Sequence, residues 1–326
     1  MRVAVTGGSG IVGAAVVRHL VAAGHEVRGL TRTEASAGRI AALGGEPIPG
    51  DVLAPESLGR LVSGVDRVFH IAGVNEMCSI DAGHMDRVNI VGTANVRDAC
   101  RAAGVNRLIH TSSAVAIGEE EGAVGSETTP HRGWYLSRYE RSKHLSEQLL
   151  LETSAGLDVV CVNPSSVQGP GRASGTGRLI LDALRGKLPF LVETTISIID
   201  IDDCARGHLL AADRGQPGAR YLLSGATLTM GEALTLLARV GGLSSKPRFL
   251  PGSVVSALAG VVEVGARALG RRPPVCREMV RALRHGHRYD GTRATRELGL
   301  GYLPVEETVQ RTIDWFRAQG LLQAAR

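Results

Sequence analysis

The strongest constraint in this sequence lies at its start. Residues 2–13, RVAVTGGSGIVG, pass from a short apolar stretch through a glycine loop into a segment of helical period, IVGAAVVRHLVAAG (11–24), which closes on Gly24. A short apolar run stopped by glycine reads as a buried strand, and a glycine just past a periodic segment suits a helix C-cap. The alternation continues with strands at 26–31, a short proline-broken stretch leading to Gly50, 66–73, 106–113 and 157–163, and with long helices at 85–104 and 139–156. Regular strand–helix alternation predicts an α/β protein built on a parallel, doubly wound sheet. Such sheets bind ligands beyond the carboxyl ends of their strands, and Thr6, Arg32, Asp51, Ala72, Ser113 and Pro164 all fall at or just after such ends.

The second half is less regular. Helices are expected at 176–188, 203–214, 230–242 and 304–322, and a strand at 220–225. No repeat or low-complexity linker separates the halves. The expected organisation is a Rossmann-type domain over 1–164, with 196–225 returning to its sheet, and a smaller C-terminal substrate-binding lobe over 165–326.

Glycine positions in the first loop indicate its ligand. Gly7 allows a sharp turn, Gly10 lets backbone approach a pyrophosphate, and Gly13 lets helix pack closely on strand. Ser9 lies within the loop, and the amides of Ile11 and Val12 open the helix toward an anion. A dinucleotide is therefore expected here. The second strand ends in Thr31-Arg32, not in the carboxylate that would pair with a ribose 2′-hydroxyl. A guanidinium suits a 2′-phosphate, so NADP is expected over NAD. Asp51 and Val52, after the third strand, either meet the adenine edge or form a plain turn. In YERSK (139–143), Tyr139 and Lys143 share one helix face a turn apart, a phenol beside an ammonium that would favour its ionisation.

With these motifs in hand, the chain resembles the extended short-chain dehydrogenase/reductases, the NAD-dependent epimerase/dehydratase type. The likeness rests on TGGSGIVG, HIAG (70–73), NIVGTANV (89–96), TSSAVAIG (111–118), YERSK and NPSSVQGP (163–170), with later likeness at 199–211 and 296–316. It is most similar to the dihydroflavonol-reductase-like and hopanoid-associated epimerase-like branch. The resemblance implies a catalytic trio of Ser113, Tyr139 and Lys143. It further implies cofactor contacts from Ala72, Gly73, Asn89, Thr111, Pro164, Ser165 and Val167, and a homodimer formed through the two long helices. Two departures from the sugar-nucleotide epimerases stand out. Ile117-Gly118 replaces their Tyr-Gly, and TTISIIDIDD (194–203) lacks their arginine.

Three readings follow. The first is an NADP-dependent oxidoreductase that reduces a ketone or aldehyde of a small, fairly apolar metabolite. The second is an NAD(P)-dependent sugar epimerase or dehydratase. The third is a dinucleotide-sensing protein without turnover, for which an intact trio would be superfluous. Substrate contacts are expected from Asn75, Ser113, His131, Trp134, Ser166 and Arg178. For His131 and Trp134 the alternative is loop packing, for Arg178 an ordinary helix position, and Tyr135, with no lysine four residues on, is read as a substrate-loop or packing residue.

The remaining signals are negative or open. Five widely spaced cysteines with no C-x-x-C pattern read as reduced, packed thiols of a cytoplasmic protein, and no metal is expected. Glycines interrupt the first apolar run, so it is not read as a signal peptide. The apolar stretch at 254–270 contains Glu263 and Arg267 and is too short to span a bilayer, which leaves a buried or interface helix. Basic residues cluster from Arg267 to Arg288 although the formal net charge is only +5. A solvated helix face is the plain reading, and an anionic partner such as a membrane surface or nucleic acid is the other. No aromatic interleaving or nucleic-acid motif supports that other reading.

Overall fold

The structure is a computed structural model and describes residues 1–81, 83–243 and 247–322. The first half folds as β1 (Arg2–Thr6), α1 (Ile11–Ala22), β2 (Glu26–Thr31), α2 (Glu34–Ala42), β3 (Glu46–Pro49), α3 (Pro55–Val62), β4 (Arg67–His70), the short α4 (His84–Asp86), α5 (Gly92–Ala102), β5 (Arg107–Thr111), α6 (Arg138–Thr153) and β6 (Asp158–Pro164). The second half adds β7 (Ser166–Gln168), α7 (Thr176–Leu184), β8 (Phe190–Leu191), β9 (Thr195–Asp200), α8 (Ile201–Arg214), β10 (Arg220–Leu223), β11 (Ala226–Thr229), α9 (Met230–Gly241), β12 (Arg248–Phe249), α10 (Gly252–Ala268), α11 (Arg277–His285) and α12 (Val305–Ala318).

Seven strands form one sheet in the order β10-β6-β5-β4-β1-β2-β3, and every pairing in it is parallel. Helices cover both faces. Val16, Val17 and Leu20 of α1 pack with Ala205, Ala211 and Ala212 of α8 on one side. Leu58, Leu61 and Val62 of α3 pack with Val96, Cys100 and Leu150 of α5 and α6 on the other. Burial on both faces explains why the strands read as continuous apolar runs. This is the doubly wound Rossmann-like α/β fold.

Two short helices, α2 and α3, were not marked by the sequence pattern. Thr33 caps α2, accepting from the Ser36 amide while Ser36 reciprocates, and Pro55 opens α3. Of the stretch 196–225, only Arg220–Leu223 lies in the main sheet, paired with Cys161–Pro164. Thr195–Asp200 instead forms a separate three-stranded sheet with β7 and β11. Two of its strands, β7 and β11, follow directly on β6 and β10, so it begins where those strands of the main sheet end.

The cysteine expectation is corrected for two of the five residues: Cys78 and Cys276 form a disulfide across a sequence separation of 198. Spacing along the chain carried no sign of it, because only the fold brings the loop after β4 against the start of α11. Cys100, Cys161 and Cys204 are free and buried, as packed thiols. No helix among the described residues is long and apolar enough to cross a membrane.

Candidate active site

The carboxyl edge of the sheet is assembled by side chains that replace lost strand pairing. Beyond β4 the Ala72 amide donates to the Thr6 hydroxyl (3.2 Å), and the Val74 amide donates to Asn89 Oδ1 (2.7 Å). Asn89 Nδ2 donates in turn to the Val74 carbonyl and the Ser142 hydroxyl, each at 2.9 Å. Asn89 therefore ties the loop after β4 to the catalytic-type helix α6. It can do so because Arg87–Val91 is a π-turn within the helix expected at 85–104, which displaces Asn89 from regular α register. Below it, His70 shares hydrogen bonds with the hydroxyls of Thr6 (2.7 Å) and Thr93 (2.9 Å). Burial, and then the charge of Lys143, bring its pKa down to about 3, so the ring is neutral.

The glycine loop has the closeness a pyrophosphate cradle requires. Gly7 sits at φ 72°, and a β-carbon there would come 2.5 Å from the Ala72 nitrogen. A β-carbon on Gly13 would come 2.1 Å from the Gly7 carbonyl oxygen. Gly10 is the N-cap of α1 and its amide donates to the Gly7 carbonyl (3.0 Å), which leaves the first-turn amides of Ile11 and Val12 at the open end of the helix. Gly73 is similarly confined, with Lys143 Nζ 3.1 Å from where its β-carbon would lie. These positions fit a dinucleotide running along the edge.

Ser113 follows β5 in extended conformation, and its carbonyl accepts from Asn163 Nδ2 (3.1 Å). Its side chain acts on the Tyr139 phenol in the direction that favours ionisation. Burial raises the Tyr139 pKa, while the Ser113 side chain and the guanidinium of Arg172 oppose the rise. Lys143 is buried, and Nζ donates to the Thr111 carbonyl (2.9 Å). Burial lowers its pKa to about 8, with Glu147 acting against the fall. The Thr111 hydroxyl is shared with His208 Nε2 (2.9 Å). The structure thus brings Ser113, Tyr139, Lys143, Asn89, Gly73 and Thr111 to one edge of the sheet.

Other expected residues serve the site less directly. Val52 packs in the core against Gly92, and its carbonyl accepts from Asn95. Val167 lies in the core beside Ile199. Ser165 continues from Pro164 with its amide held by the Leu223 carbonyl. Arg32 is exposed, 3.9 Å from Asp51. Asn75 is exposed on the loop after β4. Ser166 is engaged by Thr176 and Gln168. His131 packs on Gly118 and His144, whose ring centroid is 4.1 Å away, and burial lowers its pKa to about 4. Trp134 is exposed under the Arg132 guanidinium. Arg178 is spent on an ion pair with Asp182 (2.8 Å).

The cation whose charge acts on the phenol is instead Arg172, whose Nε is buried with no hydrogen-bond partner. A single arginine in a glycine-rich loop carries no periodic or motif signal, so sequence reasoning passed it over. One group that could hold a metal does occur among the described residues. Glu119, His285 and His287 lie within 4.8 Å of one another, but His287 is already hydrogen-bonded to Glu119 (2.7 Å) and Tyr289 (3.0 Å).

Comparison with known proteins agrees with this geometry. Residues 3–224 match the NAD dependent epimerase/dehydratase family. Sterol demethylase protein B of Methylococcus capsulatus is 34% identical over 99% of this chain and 100% of its own. The 4-hydroxy-2-methyl-3-oxo-4-farnesyl-3,4-dihydroquinoline-1-oxide ketoreductase of Stigmatella aurantiaca is 33% identical over 92% of this chain and 91% of its own. The crystal structure of gox2253 superposes with a TM-score of 0.86 at 34% identity, covering 98% of this chain and 99% of that one. The chain belongs to the NAD-dependent epimerase/dehydratase family and is an NAD(P)-dependent enzyme of the extended short-chain dehydrogenase/reductase type.

Proposed function

We propose that the protein is an NADP-dependent reductase of a ketone or aldehyde on a small, largely apolar metabolite, with Tyr139 as proton donor. The observation that carries this reading is the convergence of the Ser113 hydroxyl, the Tyr139 phenol and the Lys143 ammonium beside the confined glycine loop. A bound nicotinamide supplies the hydride chemistry. Tyr139, kept protonated by burial, gives its proton to the carbonyl oxygen. Ser113 donates a hydrogen bond to that oxygen and holds it beside the phenol. Lys143, fixed by Thr111, provides positive charge that favours the phenolate left behind. Exposed Arg32, only loosely paired with Asp51, is the group offered to a 2′-phosphate. The sterol and the farnesyl-bearing quinoline for which two relatives are named favour an apolar compound. In this reading residues 1–164 bind the cofactor, 165–326 shape the substrate lobe, and the enzyme works in the cytoplasm as a homodimer.

The test is NADPH consumption with a panel of carbonyl compounds. Steady consumption that falls by about 10²-fold or more in Tyr139→Phe is expected. Arg32→Ala should raise KM for NADPH while leaving NADH little changed. Conversion of a nucleotide sugar without net consumption would establish the epimerase instead, and cofactor binding with no turnover of either kind would establish a sensor.

A further inference from the structure

We propose that α10 is an interfacial helix that seats the protein on an anionic phospholipid surface. The inference rests on the helix and the charges around it, and holds independently of the reductase reading. Ala259 and Gly260 of α10 are buried, with Gly260 against the Arg277 side chain of α11. The opposite side is open: Val254, Leu258, Val261, Val264 and Leu269 are 44%, 56%, 74%, 61% and 72% exposed. Their spacing of three to five residues draws one continuous aliphatic stripe along a 17-residue helix. Isolated exposed aliphatics need no explanation, but a contiguous stripe marks a contact surface.

The segment that carries this stripe is also strongly basic. Residues 248–288 hold eight arginines against two glutamates, with no lysine or aspartate, so the segment alone exceeds the whole chain's net charge of +5. Both glutamates are engaged. Glu263 accepts from Arg267 and from the Arg277 amide, and Glu278 accepts from the Arg138 amide. Arg248, before α10, and Arg271, after it, stay exposed. An aliphatic stripe with an exposed arginine beyond each end of its helix is what a phospholipid boundary satisfies on both counts: side chains enter the acyl region while guanidinium groups meet headgroup phosphates. A second copy fits poorly, because a two-fold contact would set these arginines against one another. Nucleic acid would leave the aliphatic stripe without a partner, since single strands stack on aromatic rings.

The same segment is fastened to the site. The Cys78–Cys276 disulfide, and Arg272 donating to the Met77 carbonyl (2.8 Å), bind it to the loop that leaves Gly73. Ile80, 60% exposed, lies on that loop. A docked α10 therefore brings the rim of the site to the lipid boundary.

The experiment is flotation of the full chain with phosphatidylcholine vesicles, with and without about 30% phosphatidylglycerol. Binding is expected only with the anionic lipid and should weaken at high salt. Leu258→Glu with Val261→Glu should abolish flotation without moving the thermal midpoint, since both side chains face outward. Arg248→Glu with Arg271→Glu should lower partitioning by at least about tenfold. Absence of flotation, equal binding to neutral vesicles, or full binding by the Leu258/Val261 variant would overturn the proposal. So would an oligomer that dissociates in that variant while vesicles are ignored, or capture by DNA in place of vesicles.

Discussion

At the scale of single residues, the site concentrates costs that the rest of the molecule must carry. Lys143 is a buried ammonium with one carbonyl partner, and its pKa of about 8 lies below the 10.5 of a free lysine. Between those values the unfolded chain binds the proton more readily than the folded one, so this group's contribution to stability rises with pH across that window. Lys143→Met should therefore stabilise the fold at pH 7 by about 1–3 kcal/mol while removing most turnover. Urea midpoints at pH 7 and pH 10 check this, and the gain should shrink at the higher value. At Gly13 the limit is steric. A β-carbon 2.1 Å from a carbonyl oxygen cannot be absorbed by side-chain rotation. Gly13→Ala should lose dinucleotide affinity by at least about tenfold, measured by fluorescence titration, and lower the thermal midpoint.

At the scale of elements, α6 and the segment before it act as a unit. Glu140, beside Tyr139, is buried and paired with the fully covered Arg132, and Glu140 also accepts from the Leu136 amide (2.9 Å). Burial pushes its carboxyl upward against the pull of that arginine. Glu140→Ala would leave the Arg132 charge buried without a carboxylate, and should destabilise by about 3–5 kcal/mol in equilibrium unfolding. Much of this element was legible in the sequence: Tyr139 and Lys143 needed only helical period, and Ser113 only the end of a strand. Alternation gave the parallel sheet for the same reason, since strands buried on both faces must be apolar throughout. What stayed hidden depends on contacts distant in sequence. The π-turn at Asn89 requires Val74 and Ser142 as partners. The disulfide requires the loop after β4 to meet α11, and Arg172 matters only because its loop folds toward Tyr139. The outward stripe of α10 was visible as a helix, but not which side faced out.

At the scale of the whole molecule, buried histidines make folding sensitive to acid. Burial brings His70 to about 3 and His208 to about 4, and holds His110 well below 6.5. Below about pH 6.5 the unfolded chain takes up protons that these three rings refuse, so stability present at neutral pH is lost as pH falls toward 4. Each ring contributes a slope of up to about 1.4 kcal/mol per pH unit. Urea midpoints should thus decline steeply from pH 7 to pH 5, and His208→Asn should flatten the decline.

The final parallel pairing, Arg220–Leu223 on Cys161–Pro164, also governs how the gene can be cut. A fragment ending at residue 164 would lack β10 and expose the flank of β6 as an adhesive ribbon of unpaired amides and carbonyls. Such a fragment should precipitate on expression, and supplying residues 165–326 in trans should recover soluble protein, as sedimentation of the two preparations would reveal.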